Sequence, residues 1–295
     1  MSIAIFASRS FLRNDPELGD HPLLSFTTSV IRGEQIAEYI GAKYNPKSGY
    51  ENDLCIYLRP KTLDHIRDCD YIDVSDGAFN IVEQLQSRPK IRLIASYPCS
   101  YQFLKKKLKN EVVLIPEHHC NFERAVRERK EITTAGVVNN PSLKNYSIYE
   151  EVKKRMEKIG LKFITCFYYK NRQDVVDFYK QIDIQVISRF APVNDYSHYL
   201  DDYNNDLNPF IHPSKIINAA SFGIPTIASW KLGFDDFKGN YISVRDMDSL
   251  VAEVEKLKNK NYYNEWPEKI LKEAEKYHIS KIAEMYKQLE LSRLQ

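Results

Sequence analysis

Four polar side chains, His212, Ser214, Lys215 and Asn218, stand at the front of an apolar run made of Ile216, Ile217, Ala219, Ala220 and Phe222. That run reads as a short helix whose buried face is mostly small, so it can lie close to a sheet. Pro213 suits a first helical turn, where its missing N–H costs nothing, and Ser214 can cap nearby amides. Gly223 suits a left-handed C-terminal cap, and Pro225 prevents the helix from continuing. Thr226, Ile227, Ala228 and Ser229 then read as a central parallel strand. A helix N-terminus beside a lysine is an anion site, best matched to phosphate. The plainer alternative is an ordinary capped helix with a solvated lysine.

Other groups could join this chemistry. Asp76 and Arg189 each stand at the end of a strand-like run (71–77 and 183–189), and residues at the C-terminal ends of strands face the crevice of an open α/β sheet. Arg9 lies in the polar loop after the first strand. Arg32 opens a helix over 25–41 that Gly41 terminates; it can clamp a carboxylate, a phosphate or an acceptor, or be a surface arginine. His118 and His119 adjoin Cys120. Neighbouring histidines diverge on a regular backbone, and neither H-x-x-x-H nor C-x-x-C is present, so the spacing does not describe a metal site.

The elements that must position these residues alternate between strand and helix. Strands are expected at 3–7, 54–58, 71–77, 92–96, 112–116, 132–138, 162–167, 183–189, 226–229 and 240–244. Helices are expected at 25–41, after Thr62, and at 101–109, 148–159, 173–181, 246–257 and 266–295. Such alternation predicts an α/β protein with doubly wound parallel sheets. A basic linker near residue 130 divides the chain into a first domain over 1–130, a second over 131–275 and a C-terminal helix over 276–295. A length of 295 residues accommodates two domains.

Lys+Arg 42 against Asp+Glu 40 leaves +2, so no global field draws the chain to nucleic acid or an anionic membrane. Five cysteines without a C-x-x-C pair read as reduced thiols of a cytoplasmic protein. Residues 1–7 lack the basic start of a signal peptide, and no run approaches the ~20 apolar residues of a membrane span.

Residues 208–229 resemble the donor-binding helix of GT-B glycosyltransferases. Lys215, Asn218, Ala219, Gly223, Pro225, Ile227 and Ala228 fall on its K-x-x-N/E-A-x-x-x-G-x-P-x-I-A pattern. Residues 32–41 resemble the first helix of certain bacterial and phage glycosyltransferases, and 113–122 the exit from a GT-B N-terminal domain. The resemblance implies two Rossmann-like domains facing a cleft, an N-terminal acceptor domain and a C-terminal donor domain. It implies transfer of a sugar from a nucleotide sugar, such as a UDP-sugar, to a hydroxyl acceptor: a glycan, a lipid-linked sugar or a modified nucleic acid. The nucleotide sugar is then substrate, with no cofactor and no metal.

In those terms Arg189, His212, Ser214, Lys215 and Asn218 bind the donor, while Arg9 and Arg32 meet the acceptor. His118, His119 or Asp76 supply a base if the reaction inverts; the two histidines are equally readable as structural. In retaining, family-four-like members two glutamates bracket the helix. Phe210 and Asn218 stand in their places here. Rival readings are a non-catalytic nucleotide-sugar or glycan-binding module, a nucleotide-sugar epimerase and a phage-type DNA glycosyltransferase.

Overall fold

The computed structural model describes residues 2–7, 28–60, 62–75, 79–126, 131–139, 143–188 and 209–292. In chain order the first half comprises β1 (Ile3–Ala7), a π-helical turn (Ser29–Gln35) leading into α1 (Ile36–Ile40), β2 (Lys43–Tyr44), β3 (Leu54–Leu58) and β4 (Tyr71–Val74). It continues with α2 (Phe79–Leu85), β5 (Arg92–Ala95), α3 (Pro98–Lys107) and β6 (Val112–Leu114). The second half runs β7 (Thr134–Val138), α4 (Leu143–Lys158), β8 (Lys162–Cys166), α5 (Arg172–Tyr179), β9 (Ile184–Ile187), α6 (Ser214–Ser221) and β10 (Thr226–Ser229). After a 3-10 turn (Leu232–Phe237) come β11 (Ile242–Val244), α7 (Met247–Leu257), α8 (Lys260–Asn264), α9 (Pro267–Ala274) and α10 (Ile279–Ser292).

The described strands form two sheets, ordered β2-β1-β3-β4-β5-β6 and β11-β10-β9-β7-β8. Every pairing is parallel. Parallel strands covered on both faces need apolar side chains in both directions, and β3 and β10 are buried at every position. In each sheet the order reverses beside the first strand: the chain steps to one side for its second strand and to the other for its third. The loops there leave in opposite directions, which opens a crevice at the C-terminal strand ends between β1 and β3 and again between β7 and β9.

Alternate residues of the first sheet divide between two cores. Ala4, Cys55, Tyr57, Ile72 and Leu93 pack with Val82, Leu85 and Leu104 on one face. Ile3, Ile5, Leu54, Ile56 and Ile94 pack on the other with Ile36 of α1 and Ile279, Ile282, Tyr286 and Leu289 of α10. The C-terminal helix thus covers the first sheet although it follows the second in sequence. In the second sheet Ala135, Val137, Ile184, Val186 and Ile227 face Val152, Met156, Leu250 and Val254 of α4 and α7.

Two local expectations change. No helix follows Thr62, because Arg67 gathers the Glu51 and Asp53 carbonyls and the Asp70 carboxylate and holds residues 62–70 in turns. Helix α3 begins at Pro98, earlier than 101, since Ser100 Oγ accepts from Tyr97 N at 3.2 Å and donates to Tyr97 O at 2.8 Å. Gly41 and Gly223 take the left-handed C-cap conformation at φ 71 and 69.

Arg32 is not on the surface. It is 1% exposed, with Nε 2.8 Å and Nη2 2.7 Å from Asp73 Oδ2, and only Nε is well aligned. Tyr286 Oη of α10 donates to the same oxygen at 3.2 Å, so this pair joins the first helical turn, β4 and the C-terminal helix. Arg32, an acceptor candidate from its sequence position, is thus engaged with Asp73 inside the first half of the chain. Burial opposes the charge on Arg32, and Asp73 more than restores it. Asp73→Ala strands a buried guanidinium and should lower stability by about 3–5 kcal/mol. Tyr286→Phe removes one hydrogen bond, costing about 1 kcal/mol. Urea unfolding of both variants beside wild type checks the ratio.

Candidate active site between the two sheets

Helix α6 is held against the second sheet by Gln185 of β9. Its Nε2 donates to Lys215 O at 2.7 Å and to Thr226 Oγ1 at 3.1 Å, while its Oε1 accepts from Tyr179 Oη at 2.9 Å. A β-carbon on Gly233 would stand 1.9 Å from Ile211 O, so the 3-10 turn presses its backbone on the chain just before His212. Only glycine allows that approach.

Lys215 reaches back over the sheet, and its Nζ lies 2.6 Å from Asn139 Oδ1, just past β7. This places its cation at the β7/β9 crevice, where ligands of open α/β sheets bind. Ser188, which follows β9, is 2% exposed, with no hydrogen-bond partner for Oγ among the described residues. Asp76, Arg9, Arg189 and the aspartate-bearing segment 193–208 lie outside the described residues.

His212 and Ser214 face a carboxylate from the other half of the chain. Glu117, 3% exposed, lies 3.3 Å through Oε1 from His212 Nδ1, and its Oε2 accepts from Ser214 Oγ at 2.5 Å and from Tyr97 Oη at 3.4 Å. Ser214 thus serves Glu117, where a helix cap was expected; α6 has no side-chain N-cap bond. Burial alone would raise the Glu117 pKa. The His212 charge and hydrogen bond, the Arg32 charge and the Ser214 hydroxyl outweigh it and hold the carboxyl at about 2. Beside it, burial and then Glu117 push the Tyr97 phenol well above its ordinary value.

The segment after Glu117 is a strap between the sheets. Cys120 N donates to Asn218 Oδ1 at 2.7 Å, so Asn218 ties α6 to the strap. Asn121, fully buried, donates to Ser221 O at 2.7 Å and Ala125 O at 2.9 Å and accepts from Ala125 N at 2.8 Å. Arg172 donates to Cys120 O, pairs with Glu123 at 2.6 Å and stacks 4.2 Å over Phe122.

His118 and His119 belong to this strap. His118 Nε2 is 2.8 Å from Ile31 O and Nδ1 is 3.1 Å from His119 O. Burial lowers its pKa, ahead of the opposing effect of those two carbonyls. His119 faces His278 at 5.4 Å between ring centroids, and its backbone N donates to Tyr277 O at 3.0 Å. Both histidines are buried.

Phe210 is 3% exposed and packs edge-on to Phe103 at 5.4 Å within the first sheet's core. Tyr97 reciprocates, sitting among Ile187, Ile211, Ile216 and Phe237. Sequence reasoning missed Glu117, Tyr97 and Asn139. Glu117 adjoins the histidines that drew attention, but only burial shows that its charge needs partners.

No protein-family model and no curated protein matches the sequence. Among solved structures, the chain is similar to the pneumococcal O-GlcNAc transferase GtfA, solved with UDP and GlcNAc, at TM-score 0.57 and 13% identity. That match covers 82% of this chain and 57% of GtfA, so the chain spans little more than half of that protein. It is also similar to Anabaena HepE, solved with UDP and glucose, at TM-score 0.56 and 9% identity over 98% of each chain. The fold is GT-B. AviGT4, a glycosyltransferase involved in avilamycin A biosynthesis, matches equally well, at TM-score 0.56 and 9% identity over 98% of this chain and 97% of AviGT4. A GT-B fold places the β1/β3 and β7/β9 crevices in separate Rossmann-like halves. Among the described residues no helix is long and apolar enough to cross a membrane, and no His/Cys/Asp/Glu group could hold a metal ion.

Two outcomes follow from this packing. Gly233→Ala should displace Ile211 and lower the melting temperature by several degrees, whereas Gly239→Ala, whose nearest neighbour is the Lys269 tip at 3.8 Å, bears only the strain of its positive φ. Burial, then His278 and His118, lower the His119 pKa to about 3. Between pH ~6.5 and 3 the unfolded chain therefore binds a proton that folded His119 refuses, and stability falls with acidification by up to about 1.4 kcal/mol per pH unit. His119→Gln should flatten that slope in urea titrations run from pH 7 to 4.

Proposed function

We propose that the protein is a nucleotide-sugar-dependent glycosyltransferase that moves a sugar to a hydroxyl acceptor. The observation that carries this reading is Lys215 Nζ at Asn139, which brings a cation from the start of α6 to the β7/β9 crevice of a GT-B fold. A diphosphate there meets Lys215 and the Ser188 hydroxyl, with Arg189 following in sequence. These groups stabilise negative charge as it grows on the departing nucleoside diphosphate. Glu117 orients His212 through Nδ1, which sets that imidazole beside the same helix terminus. UDP-sugars are the donor class favoured, since GtfA and HepE were both solved with UDP. The nucleotide sugar is substrate, and the reaction we propose uses neither cofactor nor metal.

His118 and His119 lie inside the strap, which favours a mechanism without a base from either. A retaining reaction meets that condition. Burial of Phe210 in an apolar core, where the resemblance sets a glutamate, favours a second reading: a nucleotide-sugar-binding protein that does not transfer.

Calorimetric titration with UDP, GDP and ADP in the presence of EDTA should show binding of at least one nucleotide. Lys215→Ala should weaken it by about tenfold or more, the size of a lost charge-assisted phosphate contact, with little change in melting temperature. Slow hydrolysis of a UDP-sugar without acceptor separates the transferase from the binding protein. Absence of binding by all three nucleotides sinks both readings.

A further inference from the structure

One residue inside the second sheet breaks the apolar rule of its strand. β9 is buried at every position and lies between β7 and β10, yet its second residue is Gln185, which is fully buried. A strand covered on both faces calls for apolar side chains in both directions. Ile184 and Val186 obey, facing the core covered by α4 and α7. Ile187, two residues beyond Gln185 and on its face, packs with Ile216 and Ile217 of α6. Gln185 therefore lies under α6, the helix that carries Lys215.

Both ends of its amide are engaged. Nε2 donates to Lys215 O at 2.7 Å and to Oγ1 of Thr226, its cross-strand neighbour in β10, at 3.1 Å. Oε1 accepts from Tyr179 Oη at 2.9 Å. A carbonyl can only accept, so Lys215 O fixes which way the amide faces. Tyr179, fully buried and stacked on Phe222 at 5.3 Å, holds it there from the other side. Apolar side chains of similar shape would fill this space at little cost in stability, so stability alone does not call for the network. What the network adds is direction. The neighbouring contacts of Ile216, Ile217 and Ala219 are apolar and tolerate sliding, whereas a hydrogen bond sets a distance and an angle.

The part of α6 so fixed is its first turn. That turn has no side-chain N-cap, because Ser214 is turned to Glu117. Lys215 O is bound from the sheet by Gln185, and Lys215 Nζ lies 2.6 Å from Asn139 Oδ1. Backbone and side-chain tip of one residue are thus tied to β9 and to the end of β7, the two strands that border the crevice. A shift of the turn by about an ångström would carry its amides and the lysine head away from an anion bound there, and misplacements of that size cost large factors.

We propose that Gln185 is a positioning residue for a bound diphosphate: it fixes the first turn of α6, and with it Lys215, against the β7/β9 crevice. It acts through the Lys215 backbone and does not touch the ligand. That the diphosphate belongs to a nucleotide rests on the glycosyltransferase reading; the anchoring of the turn does not.

The test titrates the full chain by calorimetry with UDP, uridine and pyrophosphate, as wild type, Gln185→Met, Tyr179→Phe and Thr226→Val. Methionine keeps the length and volume of glutamine without its bonds. Gln185→Met should weaken UDP and pyrophosphate about tenfold and leave uridine within about twofold. Tyr179→Phe lets the amide turn and should weaken UDP about threefold, which decides the matter if Gln185→Met does not fold. Thr226→Val removes one bond of the same network but keeps the one to Lys215, and should leave UDP affinity unchanged. The ratio of UDP to uridine affinity is a readout that a merely structural glutamine would not move. Unchanged UDP affinity in Gln185→Met, or in Tyr179→Phe where the methionine variant is unfolded, overturns the proposal. So does an equal loss of UDP and uridine, or an equal loss of UDP in Thr226→Val. With UDP bound by wild type, each of those results leaves the glycosyltransferase reading standing. Pyrophosphate binding that falls in Gln185→Met, in a chain that binds no nucleotide, upholds the anchor and removes that reading.

Discussion

A buried carboxylate from one half of the chain, compensated by groups from the other, governs how the two sheets meet. Glu117 leaves the first sheet and is answered by His212 and Ser214 at the start of α6. An ionised carboxyl taken out of water is costly unless its oxygens are filled. Separating the halves would expose or strand that charge, so the arrangement around α6 depends on it. The same contact places negative charge beside a helix N-terminus, where the aligned peptide dipoles favour it.

Around that contact the polar groups form a connected interior. Asp73, Arg32 and Tyr286 bind the C-terminal helix to the first sheet, and Arg32 also helps keep Glu117 ionised. Asn218 and Asn121 fasten the strap to the middle and the C-terminal end of α6, and His278 Nε2 is 2.9 Å from Phe122 O. Apolar packing follows the same logic. Phe210 enters the first core and Tyr97 the second, so each half contributes a ring to the other.

This division of labour separates structure from chemistry along one short helix. Its first-turn serine and the preceding histidine serve the interface, and Asn218 does so one turn later. Lys215 points instead toward Asn139 and the open strand ends. Residues three apart share a helix face in general, yet Lys215 and Asn218 bond to different partners because strap and sheet approach that face from different sides.

What the sequence determined by itself was the alternation of strands and helices, the parallel sheets and the GT-B resemblance. These depend on local rules: apolar runs in buried strands, glycine at the left-handed caps of Gly41 and Gly223, and proline at helix starts. Lys215 was legible as a candidate because cation, capped helix and following strand lie within a few residues. The roles of Arg32, Asn218, His118 and Glu117 were not legible. Each is set by a partner distant in sequence: Arg32 by Asp73 and Tyr286, Asn218 by Cys120, His118 by Ile31, Glu117 by His212. A polar residue's type states which bonds it can make, and only the tertiary structure decides whether water or a buried group makes them.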